Sequence, residues 1–422
     1  MAARTSRRCA LPVARRSSAG RRWAIEAMAS QAGAVRVGMF SDSYLPRISG
    51  VVRSIESFVG ELRRQGHYAA IFAPAYEGYV DADLDVVRFP SVRAPGVPDF
   101  PLAIPLAKRF VDGLRARRPS VIHTHSPFLM GSAGQYAARR LRLPLVFTHH
   151  TMYSEYVHYV PLVSQRFSGE VVTRYTVRYC NRCTLIIAPS QATRTFLTSR
   201  GVRAPIEVLP TAGIELDRFA TLNPSWVRPA YGIPSDAPLL ITVGRLGREK
   251  RFEMLLVAFS RAARGGRERL LVVGGGAQEN ELRRVAAGLG VTGQVTFTGP
   301  LEHDRVLDCY AAADVFAFAS PTETQGLVVI EAMAAGLPVV AVGAGGVAET
   351  VADGETGLLT ELDPRALGAA IRRMLDDPTL RRRCAASGRR AARAYAIDEI
   401  VHRLVELYRQ VAENTAVIAA PD

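Results

Sequence analysis

The chain has 422 residues, 48% of them hydrophobic, which is enough to bury two ordinary cores and predicts two or three domains. No run reaches the 18 or more uninterrupted apolar residues of a membrane-spanning helix; the longest candidate, around Ala332–Val351, is broken by Pro338 and several glycines. The formal charge of +14 invites a nucleic-acid reading, but residues 1–34 hold seven arginines against one glutamate and so supply about +6 of it.

Only Lys108 and Lys250 are lysines, and no zinc finger, RNP motif or basic–aromatic alternation is present. Nucleic acid is therefore set aside, and anionic lipid is the expected basic-surface partner. Residues 1–34 interrupt their apolar residues repeatedly, so they read as a disordered basic tail and not as a secretory signal, with Met28 a second possible start. The five cysteines, Cys9, Cys180, Cys183, Cys309 and Cys384, are odd in number and scattered, which suits a reducing, cytoplasmic compartment. Cys180 and Cys183 form a C-x-x-C that closes a helical stretch, whereas the redox motif opens one, so this pair reads as structural.

From residue 35 short β-branched runs alternate with longer helical segments, the rhythm of parallel sheets covered on both faces. The first half predicts strands at Val35–Phe40, Ala69–Ala73, Ser120–His123, Leu145–Thr148, Leu185–Ala188 and Glu207–Leu209, with a helix at Val51–Gln65. A segment rich in Pro, Gly and Asp, near Pro210–Pro234, separates it from a second set at Leu239–Val243, Leu270–Val273, Gln294–Phe297, Val315–Ala319 and Pro338–Ala341. Helices follow at Asp363–Asp376, Pro378–Tyr395 and Glu399–Glu413. The expected organisation is a tail (1–34), a first Rossmann-like domain (35–213), a second (214–395), and a terminal helix (396–422) returning to the first. The two α/β domains would face each other across a cleft. Ligands of such sheets bind at the carboxyl ends of the strands, so motifs there carry most weight.

At the first such end, Phe40-Ser-Asp-Ser-Tyr-Leu-Pro46 leads to Ser49-Gly50-Val51, where a backbone without a side chain at Gly50 lets a phosphate come close. The acidic run Asp81–Asp85 precedes a strand and reads as a solvated turn. Five of the eight histidines, His123, His125, His149, His150 and His158, fall within thirty-six residues, mostly at two strand ends. They suit zinc less well than bonds to hydroxyls or phosphate, because no nearby thiolate or carboxylate completes a ligand set. Gly244-Arg245-Leu246-Gly247-Arg248-Glu249-Lys250 follows the first strand of the second half, where Arg245 can fork across two phosphate oxygens and Lys250 can act as a point charge. The turn Gly274-Gly275-Gly276 lacks the rest of a dinucleotide fingerprint.

Ser320 to Gly336 reads S-P-T-E-T-Q-G-L-V-V-I-E-A-M-A-A-G, with Glu323 in a loop, Gln325, Gly326 and Leu327 at a helix start that favours phosphate, and Glu331 within an alanine-rich helix. Two solvated glutamates would give the same spacing. A glycosidase acid/base pair does not fit, since a continuous helix would part them by about 12 Å, beyond the roughly 5–9.5 Å such a pair needs.

Together these motifs resemble the GT-B-fold glycosyltransferases of family 4, over nearly everything from Val35 to Tyr408. The resemblance rests on Ser49-Gly50-Val51, His123-Thr-His125-Ser-Pro, His149-His150-Thr151, Gly244-Arg245-Leu246 with Lys250, Gly299, and Glu323-x7-Glu331. It implies a nucleoside-diphosphate sugar as donor, retention of anomeric configuration, and neither metal nor cofactor. It also implies roles: Arg245 and Lys250 on the diphosphate, Glu323 on a sugar hydroxyl, Glu331 on the ribose, and His150 beside the reacting carbon. Three places depart from the family pattern: Ser49 stands where many relatives have glycine, Arg251 follows Lys250 where glycine is frequent, and Thr211–Glu215 replaces the commoner Asn-Gly-Val-Asp turn.

The stretch Phe147–Pro161 is similar to that of diacylglycerol glucosyltransferases, which implies that Tyr153, Tyr156 and His158 lie on the acceptor side; His123 and His125, cleft-lining histidines at the preceding strand end, are counted with them. Arg166, Arg174, Arg178 and Arg182 then form one basic face suited to anionic headgroups, or simply a solvated flank. The expectation is glucose transfer from UDP-glucose to a lipid such as diacylglycerol, at the cytoplasmic face of the membrane. Mannose transfer from GDP-mannose to a phosphoinositide or another glycolipid is the alternative, and a non-catalytic sugar-nucleotide- or membrane-binding protein is the second.

Overall fold

The computed structural model describes residues 34–419, apart from 48, 95–96, 105–106, 151–164, 212 and 264. Along the first half run β1 (Arg36–Phe40), β2 (Tyr68–Pro74), β3 (Val86–Phe89), the antiparallel hairpin β4 (Ser91–Ala94) and β5 (Val97–Ala103), β6 (Val121–Thr124), β7 (Leu145–Thr148), β8 (Leu185–Ala188) and β9 (Ile206–Val208). The second half contributes β10 (Leu239–Val243), β11 (Arg269–Val273), β12 (Val295–Phe297), β13 (Val315–Phe318), β14 (Val339–Val342) and β15 (Gly357–Thr360).

Two parallel sheets result, in the orders β3-β2-β1-β6-β7-β8-β9 and β12-β11-β10-β13-β14-β15. Both are doubly wound in the same sense, so each has one point where the order reverses, at β1/β6 and at β10/β13. Alternation along the strands feeds both faces. Val37 and Met39 of β1 enter one cluster and Phe40 another; Leu239, Ile241 and Val243 of β10 enter one cluster and Leu240 another.

Helix Gly50–Arg64 forms because Ser49 caps it, its hydroxyl accepting from the Val52 N–H at 3.3 Å, and because Val52, Ile55, Phe58, Val59 and Leu62 make a buried stripe. That accounts for Ser49, which supplies a cap that glycine cannot. Arg251 lies in the left-handed region at φ 55, a conformation glycine adopts without strain, so it is the position where glycine is the easier residue. The Asp81–Asp85 run is a half-exposed turn, as expected, and its carboxylates are paired. Asp81 pairs with Arg88, Asp83 with Arg63, and Tyr68 donates to Asp85, tying the run to both neighbouring strands. Cys180 ends helix Gln165–Cys180 and Cys183 precedes β8; burial pushes the Cys180 thiol up to about 12 and holds both as inert packing groups.

The chain passes between the halves twice, side by side. Ile214 donates to the Tyr395 carbonyl and accepts from the Ile397 N–H, at 2.9 and 3.1 Å. Gly213 is needed there because a Cβ would lie 2.7 Å from the Ile397 backbone. Helix Ile397–Ala419 then returns to the first sheet, burying Ile400, Val401, Leu404, Val405, Tyr408 and Val411 beside β1 and helix Gly50–Arg64.

Candidate active site

Both switch points carry the residues singled out in the sequence. Beyond β10, the loop Gly244–Lys250 rests on glycines: a Cβ on Gly274 would lie 2.1 Å from the Gly244 carbonyl, and one on Gly276 2.5 Å from that of Leu246. The glycine triplet is therefore a seat for the Arg245 loop. Gly299, at φ 71, accepts from the Gly274 N–H at 3.1 Å and completes that seat.

Arg245 donates from Nη2 to Glu249 at 2.6 Å, and the Glu249 side chain is only 3% exposed against 47% for Arg245. A buried carboxylate thus aims an accessible guanidinium, with Gly247 leaving room for it. Lys250 is ion-paired with Glu323 across the switch point, both side chains mostly buried. Sequence reading found Arg245, Lys250 and Glu323 but missed Glu249, which between Arg248 and Lys250 looks like ordinary solvated charge.

Beyond β13, the loop carrying Glu323 is shaped by a second glycine pair. The Gly346 N–H donates to the Glu323 carbonyl at 2.9 Å, and Cβ atoms on Gly345 and Gly346 would lie 2.5 and 2.3 Å from the carbonyls of Glu323 and Thr324. The loop ends at Gly326, φ 84, and helix Leu327–Ala334 begins at once. Only Glu331 of the two glutamates is helical. It is buried, accepts from the Tyr310 hydroxyl at 3.2 Å, and lies 2.9 Å from His303 Nε2. Arg218 donates to His303 Nδ1 at 3.1 Å, so the ring's proton sits on Nε2 and points at Glu331. Burial, with Glu331 beside it, holds the Tyr310 hydroxyl well above the usual tyrosine range. Neither His303 nor Tyr310 was legible without the fold.

On the first half, Asp42 receives the Ser126 hydroxyl at 2.5 Å and the Met130 N–H at 2.8 Å; burial raises its carboxyl above the usual range. His123 is fully buried, with Nδ1 2.6 Å from the Tyr408 hydroxyl and Nε2 2.7 Å from Thr148 Oγ1. His125 is 1% exposed, its Nδ1 2.9 Å from Nε2 of the less buried His150. Burial depresses all of these imidazoles, His123 to about 3 and the buried His149 to about 4, with His125 and His150 well below the ordinary value. They are neutral at pH 7. Gly50 is exposed with open space around it. Tyr153, Tyr156 and His158 lie outside the described residues.

The halves meet at this place. Thr324 donates to the His150 carbonyl at 2.8 Å, which sets His150 beside the Glu323 loop. The Gln325 side chain accepts from the Thr211 N–H at 2.8 Å and is committed across the junction. Glu349 accepts from the N–H groups of Gln191 and Ala192 at 2.7 and 2.5 Å. The predicted basic face is shorter than its spacing suggested: its helix ends at Cys180, so Arg182 lies beyond it, and Arg174 is paired with Glu170 at 3.0 Å. Arg182 lines a separate cavity of about 240 Å³ at the amino edge of the first sheet, with Arg139 and Arg142. Val171 and Tyr175 of helix Gln165–Cys180 and Phe128 and Leu129 beside it are exposed, and the rings of Phe128 and Tyr175 stack with centroids 6.0 Å apart. Among the described residues no helix is long and apolar enough to cross a membrane, and no group of three or more His, Cys, Asp or Glu is placed to hold a metal ion.

Residues 48–218 match the model of Glycosyltransferase Family 4 and residues 227–391 that of Glycosyl transferases group 1. The alpha-monoglucosyldiacylglycerol synthase of Streptococcus pneumoniae is 31% identical over 372 residues, covering 82% of this chain and 80% of that protein. The chain belongs to the family 4 glycosyltransferases. This glycosyltransferase is also 32% identical over 331 residues to the GDP-mannose-dependent alpha-mannosyltransferase of Mycobacterium tuberculosis, covering 77% and 83% of the two chains. Its fold is that of the solved sucrose-phosphate synthase from Thermosynechococcus elongatus, with a TM-score of 0.71 at 24% identity over 89% of this chain and 99% of that one. The expectation of a GT-B architecture with two Rossmann-like sheets is thereby met.

Proposed function

We propose that this glycosyltransferase is a retaining, metal-independent enzyme that moves a hexose from a nucleoside-diphosphate sugar, UDP-glucose by preference, to a lipid hydroxyl such as that of diacylglycerol. One observation carries the reading. Lys250, one of two lysines in the chain, is paired with Glu323 at the same switch point to which buried Glu249 aims Arg245. A diphosphate and the sugar attached to it need this combination of cations and hydroxyl acceptor side by side.

Arg245 and Lys250 would take the diphosphate, joined by the N–H groups of Gly326 and Leu327 at the helix start, with Gly50 and Gly299 permitting close backbone approach. Glu323 would receive a sugar hydroxyl. Glu331, held by Tyr310 and His303, keeps lone pairs for the ribose hydroxyls. With His150 beside the anomeric carbon, the acceptor oxygen bonds to that carbon as its bond to the β-phosphate oxygen breaks on the same face. The acceptor's proton passes to the departing phosphate oxygen, whose charge the two cations stabilise.

Exposed Phe128, Leu129, Val171 and Tyr175 near Arg174 and Arg178 support a peripheral hold on anionic headgroups at the cytoplasmic face. Tyr153, Tyr156 and His158 keep the acceptor-side role read from the sequence. Likeness to the alpha-monoglucosyldiacylglycerol synthase supports glucose and diacylglycerol. Likeness to the GDP-mannose-dependent alpha-mannosyltransferase supports the second reading, mannose to a phosphoinositide or another glycolipid. A binding protein without turnover is disfavoured by the assembled Arg245, Lys250, Glu323 and Glu331.

The test is a panel of UDP- and GDP-sugars offered with total lipid extract. Product from UDP-glucose and the diacylglycerol fraction is the expected result; product from GDP-mannose alone moves the assignment to the second reading, and no product with any donor removes both. Co-sedimentation with anionic liposomes should weaken as salt rises.

A further inference from the structure

The acceptor-side role read for His125 does not suit its surroundings. The side chain is 1% exposed, its ring lies 4.2 Å from that of His123, and its Nδ1 is 2.9 Å from His150 Nε2. Its other nitrogen, Nε2, is buried without a hydrogen-bond partner among the described residues. The contact with His150 needs one proton between two ring nitrogens, and there are two ways to place it. If His150 donates from Nε2, His125 must carry its own proton on Nε2, leaving an N–H buried with nothing to receive it. If His125 donates from Nδ1, its bare Nε2 is only an unused acceptor, which buried sites tolerate better than an orphaned N–H.

We propose that His125 is a positioning residue: its Nδ1–H donates to His150 Nε2 and locks His150 in the tautomer protonated at Nδ1. His150 then has one free ring nitrogen, and that nitrogen is a donor. It offers a hydrogen bond to an oxygen lone pair of the bound donor and no general base for the acceptor hydroxyl. The ordering effect of burial agrees, since both imidazoles are held neutral and neither gains a second ring proton near pH 7. The proposal rests on the reading that places His150 beside the sugar.

Its first test needs no turnover. In protein labelled with ¹⁵N-histidine, ¹⁵N–¹H correlation of the imidazoles, with His150→Gln to assign the resonance, reads the tautomer directly. An Nδ1–H on His150, lost or mixed with Nε2–H in His125→Phe, is expected; an Nε2–H in the wild-type protein, or a tautomer indifferent to His125→Phe, overturns the proposal. The second test is kinetic. His125→Phe keeps an aromatic ring against His123 and should lower kcat by roughly 10²-fold with little change in donor KM. His125→Asn, whose amide N–H stands near the position of Nδ1–H, should recover most of the loss. An asparagine variant as slow as the phenylalanine one would reduce His125 to a packing group. Absence of glycosyl transfer under all conditions would remove the functional reading while leaving the tautomer measurement to stand or fall by itself.

Discussion

The two switch points have one topology and opposite chemistry. At β10/β13 the polar groups are charged and paired: Arg245 with Glu249, Lys250 with Glu323, and Glu331 under Tyr310 and His303. At β1/β6 they are neutral by burial: His123, His125 and the neighbouring His150 have depressed basicity, and Asp42 is pushed towards its acid form. Strand order therefore supplies a crevice and says nothing of what enters it. On the proposed reading the charged switch point suits a departing diphosphate, which needs fixed charge, and the neutral one suits an acceptor hydroxyl and a sugar face, which gain from dry, oriented dipoles.

Glu323 is the sharpest way to break that contrast. Glu323→Ala leaves the mostly buried Lys250 without its carboxylate and removes the acceptor proposed for a sugar hydroxyl, so kcat should fall about 10²–10³-fold in a protein that still folds but melts at a lower temperature. Steady-state kinetics beside thermal unfolding separate the two. Ordinary turnover in the folded variant would mean that the charged switch point is scaffold.

Sequence reading reached this contrast unevenly. β10 and β13 were legible because apolar runs end in Gly and Pro loops, and the glutamates of one loop and helix could be read in order. The pairings were not. Lys250 and Glu323 are 73 residues apart and His123 and Tyr408 are 285 apart, so only the fold brings them together. β3 was missed from the strand set because Val86–Phe89 is short and only its last residue is fully buried. Gly274–Gly276 was judged against a dinucleotide motif it does not match, when its role is to let two loops touch. Arg251 and Ser49 were visible as departures from the family, and a left-handed φ and a helix cap are their physical content.

The terminal helix tests whether the neutral half is stable by itself. Leu404 is fully buried between that helix and the first sheet, although its segment follows the second half in sequence. Leu404→Ala should cost about 2–5 kcal/mol, measured by urea unfolding. Loss of the first half's cooperative transition with the second retained is the expected pattern. A uniform loss in both would show that the halves unfold as one unit.

Acid should find the neutral half first. His149 titrates at about 4 and His123 at about 3 in the fold, both below the free value of 6.5, so the unfolded chain binds protons that the native state refuses. Their contribution is whole above pH 6.5 and is lost as pH falls towards 4 and 3, by up to about 1.4 kcal/mol per pH unit for each histidine. Asp42, raised by burial, works in the opposite sense. Urea midpoints between pH 7 and 5 should therefore drop, and His149→Gln should flatten the slope. An unchanged slope would place the acid-sensitive groups elsewhere.

The smallest expected effect lies where the halves touch. Glu349, from the charged half, holds both N–H groups at the start of helix Gln191–Ser199 of the neutral half. A carboxylate at a helix N-terminus contributes about 0.3–1 kcal/mol where exposed. Glu349→Gln keeps one of the two acceptor oxygens, turns an amide NH2 towards the other N–H and removes the charge, so the contact between the halves loses that increment and one hydrogen bond, and donor KM should rise by roughly tenfold with kcat nearly constant. Because the lost interaction is exposed and electrostatic, the gap between variant and wild type should narrow as salt rises. A gap that persists at high salt would mean that geometry and not charge joins the two switch points at this contact, leaving Thr324 and Gln325 as the bonds that set His150 against Glu323.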